Sequence, residues 1–449
     1  MATSGINLSQ ANATSGTGID VTSTVDQILN AERAPEQLWK QQQSLLQTQS
    51  SILTSLNNGL NSLQDKIRAL SDSFGVLGAK NASSSLSGVL TASAQSSAVD
   101  GTHLIVVSSL ATTGTAYSDP VTDANTTFAS GVITLNVGTA TQNIQIDNTN
   151  NTLSTLASSI NTQNLGITAS VVSDASGSRL ALVSSTTGNA GDLTVTGNTS
   201  GLGMHKGTPG QNASLTIDGV PFSSASNTVT GAIAGVTLNL NGSAPATEVT
   251  VTVGPDQSGV KQALQDFVAA YNVLMTTING QFAVNSSNSQ GPLASDSSLR
   301  FLQSNLLTDV THSVSGNNSF VNLASLGINM ANDGTLSVDD SKLSSAVNNH
   351  YADLQSFLQT ATTGFASNFA TDLGNLTDST QGLLNVDLAQ NAIQQKELTR
   401  QINDFEDRLA VRQQQLIAQY SRVDTMLRQY PLIMQQLNSQ LASLSSLSQ

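Results

Sequence analysis

Residues 45–77 read LLQTQSSILTSLNNGLNSLQDKIRALSDSFGVL, and their leucines and isoleucines recur mostly at steps of three and four residues. Such steps place apolar side chains along one side of an α-helix, and a long stripe needs a second helix to cover it. A similar stripe runs through residues 398–444, near the other end of the chain. We therefore predict that the two ends pair as an antiparallel coiled coil, with the residues between them forming one long insertion.

The predicted coiled-coil core takes apolar side chains from both stripes. They are Leu45, Ile52, Leu56, Leu63, Ile67 and Leu70 near one end, and Leu398, Ile402, Phe405, Leu409, Leu416 and Val423 near the other.

Prolines suggest where this coiled coil bends. If Leu77 lies near residue 390, Pro35 faces about residue 432, next to Pro431. A proline inside a helix removes a hydrogen bond and crowds the preceding turn, which costs about 3 kcal/mol. We therefore predict a hinge at Pro35 and Pro431; chance alignment or two unrelated bends is the alternative.

Trp39, Leu437 and Leu441 are candidate contacts to a neighbouring subunit or another partner. A lone aromatic residue on a helix most often packs on its partner helix, but tryptophan is also enriched among interface anchors. Leu437 and Leu441 continue the C-terminal stripe beyond Pro431. Met434 belongs to the same stripe and is assigned no contact.

Composition and charge exclude several classes of partner. Charged residues make up 10% of the 449 residues, and the net charge is -14. Between Lys80 and Lys261 the only basic residues are Arg179 and Lys206, against nine acidic ones. Because nucleic acids and anionic lipids require basic surfaces, we expect neither a nucleic-acid nor a membrane partner.

The chain also lacks the signals of a catalytic or metal site. It contains no cysteine, and its four histidines have no metal-ligand spacing. No dinucleotide loop, P-loop, nucleophile elbow or zinc-protease motif occurs. We therefore expect no enzymatic activity, no cofactor and no metal.

Targeting signals are equally scarce. Residues 1–24 contain no apolar core of a secretory signal, and no apolar run is long enough to span a membrane. If the protein is exported, we expect a route that does not depend on a cleaved signal.

The middle of the chain changes from helical to strand periodicity. Short segments rich in Val, Ile and Thr are bounded by Gly, Asn and Asp, and Asp218-Gly219 is a strong two-residue hairpin signal. Helical spacing returns after Gly254-Pro255-Asp256. The predicted fold class is α+β and multidomain, with antiparallel terminal coiled-coil helices, a helical domain and two inserted β-rich domains.

The predicted domains follow these changes of period. Residues 1–40 and 430–449 are terminal leg segments, mobile in the monomer, and residues 41–79 with 257–429 form the helical coiled-coil domain. Residues 80–111 with 210–256 form a first β-rich domain, and residues 112–209 form a second one, inserted in the first.

Several segments resemble a known family. The opening GIDVTSTVDQILNAERAPEQLWKQQ (18–42) is similar to the N-terminal signature of the bacterial flagellar cap proteins, also called hook-associated protein 2 or FliD. Residues 267–280, 291–300 and 326–347 resemble its helical-domain segments, and residues 166–188 and 215–242 resemble its strand-domain segments. The similarity covers nearly the whole chain in the expected order. Pro431 departs from the smoother helix expected there.

This resemblance implies a secreted, non-enzymatic homo-oligomeric ring, usually pentameric, at the tip of the flagellar filament. It implies that strand-rich domains form a plate and that terminal helices form legs on the filament. The expected partners are further copies of the chain, flagellin, hook–filament junction proteins and a cytoplasmic export chaperone. The expected role is to retain exported flagellin and promote its folding and insertion.

Two alternatives remain open at this stage. A hook–filament junction protein or a flagellin also pairs its terminal helices, but differs from the segment at 18–42. An adhesin that binds host glycans through the strand domains is compatible with the cap role or could be the primary function.

Overall fold

The computed structural model describes residues 18–284, 286, 288–316 and 319–446, with side chains up to 442. The chain divides into two compact units, Met1–Ser71 with Ala263–Gln449, and Asp72–Gln262. Both ends of the chain thus belong to one unit. The α+β architecture predicted from the two periodicities is confirmed.

The helices are α1 Val21–Glu32, α2 Ala34–Ser71, α3 Leu153–Thr162, α4 Gln257–Phe282, α5 Ser297–Val310, α6 Asp340–Asn349, α7 Tyr351–Gln359, α8 Phe365–Leu376 and α9 Leu383–Ser446. The strands are β1 Lys80–Ser84, β2 Leu90–Ala94, β3 Gly101–Ser109, β4 Thr113–Ser118, β5 Gly131–Val137, β6 Ala140–Ile146, β7 Ile167–Asp174, β8 Gly177–Thr187, β9 Leu193–Asn198, β10 Met204–Lys206, β11 Ala213–Ile217, β12 Val220–Ser224, β13 Thr228–Ile233, β14 Val236–Leu240, β15 Val249–Pro255, β16 Ile328–Met330 and β17 Leu336–Val338.

The second half of α2 lies in the core of the helical unit. Its leucines from Leu56 to Leu70 are almost fully buried. A phenylalanine cluster forms part of the same core: the rings of Phe267 and Phe369 lie 5.7 Å apart edge-to-face, and Phe357 stacks on Phe365. The Leu70 carbonyl accepts a hydrogen bond from Gln359 Nε2 at 3.1 Å. The partners of this half of α2 therefore include short helices such as α7 and α8.

The first half of α2, continued as far as Asn57, pairs with α9 in an antiparallel arrangement. The contacts run from Asn57 with Asn385 (2.9 Å), through Gln43 with Thr399 (2.8 Å), to the Arg33–Glu406 ion pair. The long helical pair predicted from the stripes is present, but α9 begins at Leu383 and covers only this half of α2.

The sequence-based pairing of Pro35 with Pro431 is wrong. Pro35 lies near the level of Glu406, because Arg33 is two residues away and contacts that carboxylate. Pro431 lies beyond Asp424, whose partner is Ile19. The error arose because the prediction extended the coil to Leu77, whereas short helices such as α8 pack on the second half of α2.

The strand-rich unit contains two hydrophobic cores. The first lies between the five-stranded sheet β1-β15-β3-β11-β12 and the three-stranded sheet β13-β14-β2, with Ile105, Val251 and Leu238 among its buried residues. The second joins the sheets β10-β4-β8-β7 and β6-β5-β9 with α3, around residues such as Leu135, Leu156 and Leu182. The strands of the second core lie between β3 and β11 in the chain.

The hairpin predicted at Asp218-Gly219 is confirmed. β11 and β12 pair antiparallel, with Ile217 opposite Val220. Both turn residues have positive φ, 51° and 82°. That geometry is the one in which a two-residue turn matches the twist of the flanking strands.

Candidate assembly surface

The first described helix packs on α9. Asp20 caps α1 by accepting a hydrogen bond from the Ser23 N–H at 3.1 Å. Val25 and Leu29 are buried against Leu409 and Leu416 in a small apolar cluster. Because so few side chains are buried there, polar contacts at both ends of α1 contribute to its placement.

A charged corner joins α1, α2 and α9. Arg33 lies in the turn between α1 and α2, and its guanidinium donates to Glu406 at 2.7 and 3.0 Å and to Glu36 at 2.7 Å. Glu36 is buried, and Lys40 also contacts its carboxylate. The hydrogen bond from Arg33 is the main cause that lowers the pKa of Glu406, and the same bond raises the pKa of Arg33.

Sequence reasoning missed this corner. Arg33 and Glu36 stand three residues apart on either side of Pro35, and this i, i+3 spacing could have indicated a pair. Glu406 is separated from them by most of the chain, so the sequence alone could not place it there.

The N-terminal end of α1 is attached to α9 through a backbone N–H. The Ile19 N–H donates to Asp424 Oδ1 at 2.8 Å, and Arg428 Nε donates to Asp424 Oδ2 at 2.8 Å. A Cβ at Gly18 would come within 2.6 Å of the Asp424 carboxylate, so a larger residue there would require the Asp424 and Arg428 side chains to shift. The hydrogen bond from Arg428 is the main cause of the lowered pKa of Asp424.

Most of the predicted coiled-coil core residues are buried, but Leu45 is not. The buried members are Leu56, Leu63, Ile67, Leu70, Leu398, Ile402, Leu409 and Leu416, and Ile52, Phe405 and Val423 are half-buried. Leu45 is 48% exposed, whereas Leu46 is 8% exposed. The core-facing row of α2 passes through Trp39, Leu46 and Leu53 at seven-residue spacing, and Leu45 lies one position outside it. The prediction for Leu45 is therefore corrected.

Trp39 packs within its own chain. Its ring meets the Phe405 ring edge-to-face, with centroids 5.4 Å apart and the planes at 89°. The ring is half-buried. A subunit contact by Trp39 stays a prediction.

The two prolines occupy different kinds of position. Pro35 is the second residue of α2, where the missing N–H removes no helical hydrogen bond. Pro431 lies inside α9, which continues as helix on both sides of it. A hinge at either proline stays a prediction, but they do not share a level.

Beyond Asp424, α9 presents a row of exposed apolar side chains. They are Met426, Leu427, Tyr430, Leu432, Ile433, Met434, Leu437 and Leu441, and their exposed fractions lie between 41% and 65%. The predicted contact residues Leu437 and Leu441 both belong to this row, which we call the tail row. The prediction of mobile legs covers residues 1–40 and 430–449, of which residues 1–17 and 447–449 lie outside the described residues.

Two kinds of feature do not occur in the described part of the chain. Its His, Asp and Glu side chains form no group of three or more that could hold a metal ion. None of its described helices is apolar over a length sufficient to cross a bilayer.

Comparisons with known proteins match most of the chain. Residues 17–114 and 210–431 match the family models for the N-terminus and C-terminus of flagellar hook-associated protein 2, and residues 132–186 match the flagellin hook IN motif. The B-type flagellar hook-associated protein 2 of Pseudomonas aeruginosa is 34% identical over 402 residues, 82% of this chain and 84% of that protein. The Salmonella typhimurium flagellar hook-associated protein 2 is 29% identical over 233 residues, 48% of either chain.

The fold agrees with a solved structure. The crystal structure of domains D1–D2–D3 of the Escherichia coli flagellar cap protein FliD aligns with a TM-score of 0.56 and 26% identity. The alignment covers 76% of this chain and 99% of the other.

These matches, together with the paired terminal helices and two β-rich cores, show that the chain belongs to the flagellar hook-associated protein 2 family. It is a flagellar filament cap protein, a structural component of the filament tip.

Proposed function

We propose that the chain works as a homo-oligomeric ring outside the cell, where it retains exported flagellin and promotes its folding and insertion into the growing filament. Its proposed partners are other copies of itself, flagellin and the hook–filament junction proteins, with an export chaperone in the cytoplasm. Export would take place without a cleaved signal peptide. The proposed activity is mechanical and not enzymatic.

The tail row is the observation that carries this proposal. An apolar row on a soluble protein usually marks an interaction site, because water solvates it poorly. Helices also depend on packing for stability, so a tail with little cover is marginal on its own. We propose that residues 430–449 are mobile in the monomer and become ordered against the filament. The predicted mobility of residues 1–40 does not extend to α1, because Val25 and Leu29 are buried against α9 and Arg33 pairs with Glu406.

A complementation experiment tests the role of the tail row. A strain that lacks the gene should produce short or absent filaments and release unpolymerised flagellin. Wild-type protein should restore filaments, whereas a variant with Tyr430, Leu437 and Leu441 changed to serine should not. The matched control changes the exposed Val386, Ile393 and Val411 of α9 to serine. Full rescue by the tail variant would contradict the proposal.

Two further measurements test which part of the chain holds the ring together and whether residues 430–446 become ordered on assembly. The mass of the intact oligomer, compared with the mass after removal of both terminal segments, shows which part holds the ring together. Amide exchange in residues 430–446 should be rapid in the monomer and slower in assembled caps. Strong protection of residues 430–446 in the monomer would rule out their proposed ordering on assembly.

A further inference from the structure

Two carboxyl groups meet inside the helical unit. Asp309 lies in the last turn of α5 and is 5% exposed, although it is an ionisable residue. Asp372, on α8, lies within hydrogen-bonding distance of it. Aspartate is rarely buried to this extent unless a partner compensates the charge.

Among the described residues, Asp309 Oδ2 has no hydrogen-bond donor. A second buried polar group lies nearby: the Tyr271 hydroxyl on α4 is fully buried, also lacks a partner, and feels the charge of Asp309. The groups that face Asp309 are therefore both acidic.

Several other charged groups on the neighbouring helices have partners of their own among the described residues. Lys66 pairs with Asp266, Arg68 lies beside Gln64, Arg300 stacks over Phe282, Asp387 contacts Ser298, and Asp353 contacts His350. The nearest histidine along the chain, His312, donates its backbone N–H to the Asp309 carbonyl at 3.1 Å.

A carboxylate cannot donate a hydrogen bond, so two ionised groups in this position would only repel each other. If one of the two groups binds a proton, the repulsion is replaced by attraction, because the protonated carboxyl donates a hydrogen bond to its ionised neighbour. Burial strengthens both the repulsion and the hydrogen bond, since the surroundings screen charge poorly. The number of protons on the pair therefore controls the attraction between α5 and α8.

We propose that Asp309 and Asp372 share one proton that fastens α5 to α8, and that release of this proton to solvent at neutral to alkaline pH loosens the helical unit. The pair thus makes the packing of a flagellar tip component respond to the pH of the surrounding medium.

The direction of the effect follows from the titration of the buried group. Burial, followed by the charge of Asp372, raises the pKa of Asp309 from 3.8 to about 7. A raised carboxyl pKa means that the folded state holds a proton that the unfolded state has lost. The stabilisation by this proton is complete at acidic pH and declines as pH rises from about 4 to about 7.

The first test uses the wild-type protein and needs no variant. Carbon-13 NMR of the aspartate carboxyl groups should show that the Asp309 carboxyl titrates near neutral pH. If the Asp309 carboxyl titrates in the ordinary range near 4, the proposal is wrong.

The second test measures opening of α5 and α8 by amide exchange at pH 5 and pH 8, corrected for the intrinsic pH dependence of exchange. In the wild type, the opening equilibrium should increase by roughly a hundredfold, which is tenfold for each of the two pH units between pH 5 and the Asp309 pKa of about 7. The increase should be lost in Asp309→Asn and retained in the control Asp65→Asn, which removes an exposed acid from α2. The same increase in Asp309→Asn as in the wild type would overturn the proposal.

Discussion

The guanidinium of Arg33 and the carboxylate of Glu406 form a two-pronged ion pair across 373 residues of sequence, with contacts of 2.7 and 3.0 Å. It lies where α1 turns into α2, and it attaches this corner to the middle of α9. The buried Glu36 accepts from the same guanidinium. The corner therefore lies between the contacts of α1 with α9 and the contacts of α2 with α9.

Replacing Arg33 with lysine should loosen α1 while leaving the rest of the helical unit intact. Lysine keeps the charge but lacks the planar fork that contacts two carboxylates together. We expect faster amide exchange in residues 21–32, measured by mass spectrometry, with little change in the melting temperature. Arg400→Lys is the control, because Arg400 pairs only within α9 among the described residues. Equal changes of amide exchange in residues 21–32 in both variants would show that the planar guanidinium of Arg33 does not hold α1 in place.

Acidification should release α1 from α9. The Arg33 hydrogen bond lowers the pKa of Glu406 from its ordinary value of 4.5, so the ion pair contributes above that value and is lost as pH falls through the lower, folded-state pKa. NMR spectra recorded from pH 6 to pH 3 should therefore show changes in α1 below about 4.5. In Glu406→Gln the pH dependence of α1 should be weaker. An unchanged acid transition in this variant would assign it to another group, such as Asp424.

Leu60 and Leu45 should differ strongly in their contribution to stability. Leu60 is fully buried, so Leu60→Ala should lower the free energy of unfolding by about 2–5 kcal/mol through lost contacts and a residual cavity. Leu45→Ala, at an exposed site, should change it by about 0.5 kcal/mol or less. Urea unfolding of both variants measures the difference. A large effect at Leu45 would indicate that this side chain is covered in solution.

Replacing Pro431 with alanine should stiffen the tail of α9. Proline lacks an N–H and crowds the preceding turn, at a cost of about 3 kcal/mol in a helix interior. Pro431→Ala should therefore slow amide exchange on both sides of residue 431 in the monomer. The control Pro35→Ala should have a smaller effect, because Pro35 stands at the start of α2. Unchanged amide exchange on both sides of residue 431 would mean that the proline does not destabilise the helix there.

The helices and strands follow from local patterns that a sequence displays directly. The leucines from Leu56 to Leu70 are buried because their spacing keeps them on one face, whichever helix covers it. Asp218-Gly219 predicts its hairpin because few residues accept the positive φ values of that turn. Such features depend on neighbours a few residues apart.

The register of the terminal helices could not be obtained in the same way. A repeating stripe fits several offsets almost equally well, and the choice depends on side chains such as Gln43 and Thr399 meeting across the fold. The exposure of Leu45 and the separation of Pro35 from Pro431 follow from that choice. Asp309 was missed for a related reason, since its burial is due to helices that approach α5 from elsewhere in the chain.

At 1.5 Å of rise per residue, the 64 residues of α9 form a rod about 95 Å long. Its first half is seated in the helical unit, and its far end has few described contacts. Once its tail is ordered, such a rod acts as a lever: a tilt of a few degrees at its seated end displaces the tip by several ångströms, about the length of one helical turn. Small rearrangements around Asn57 and Asn385 would therefore be magnified into steps that match the spacing of side chains on a facing helix.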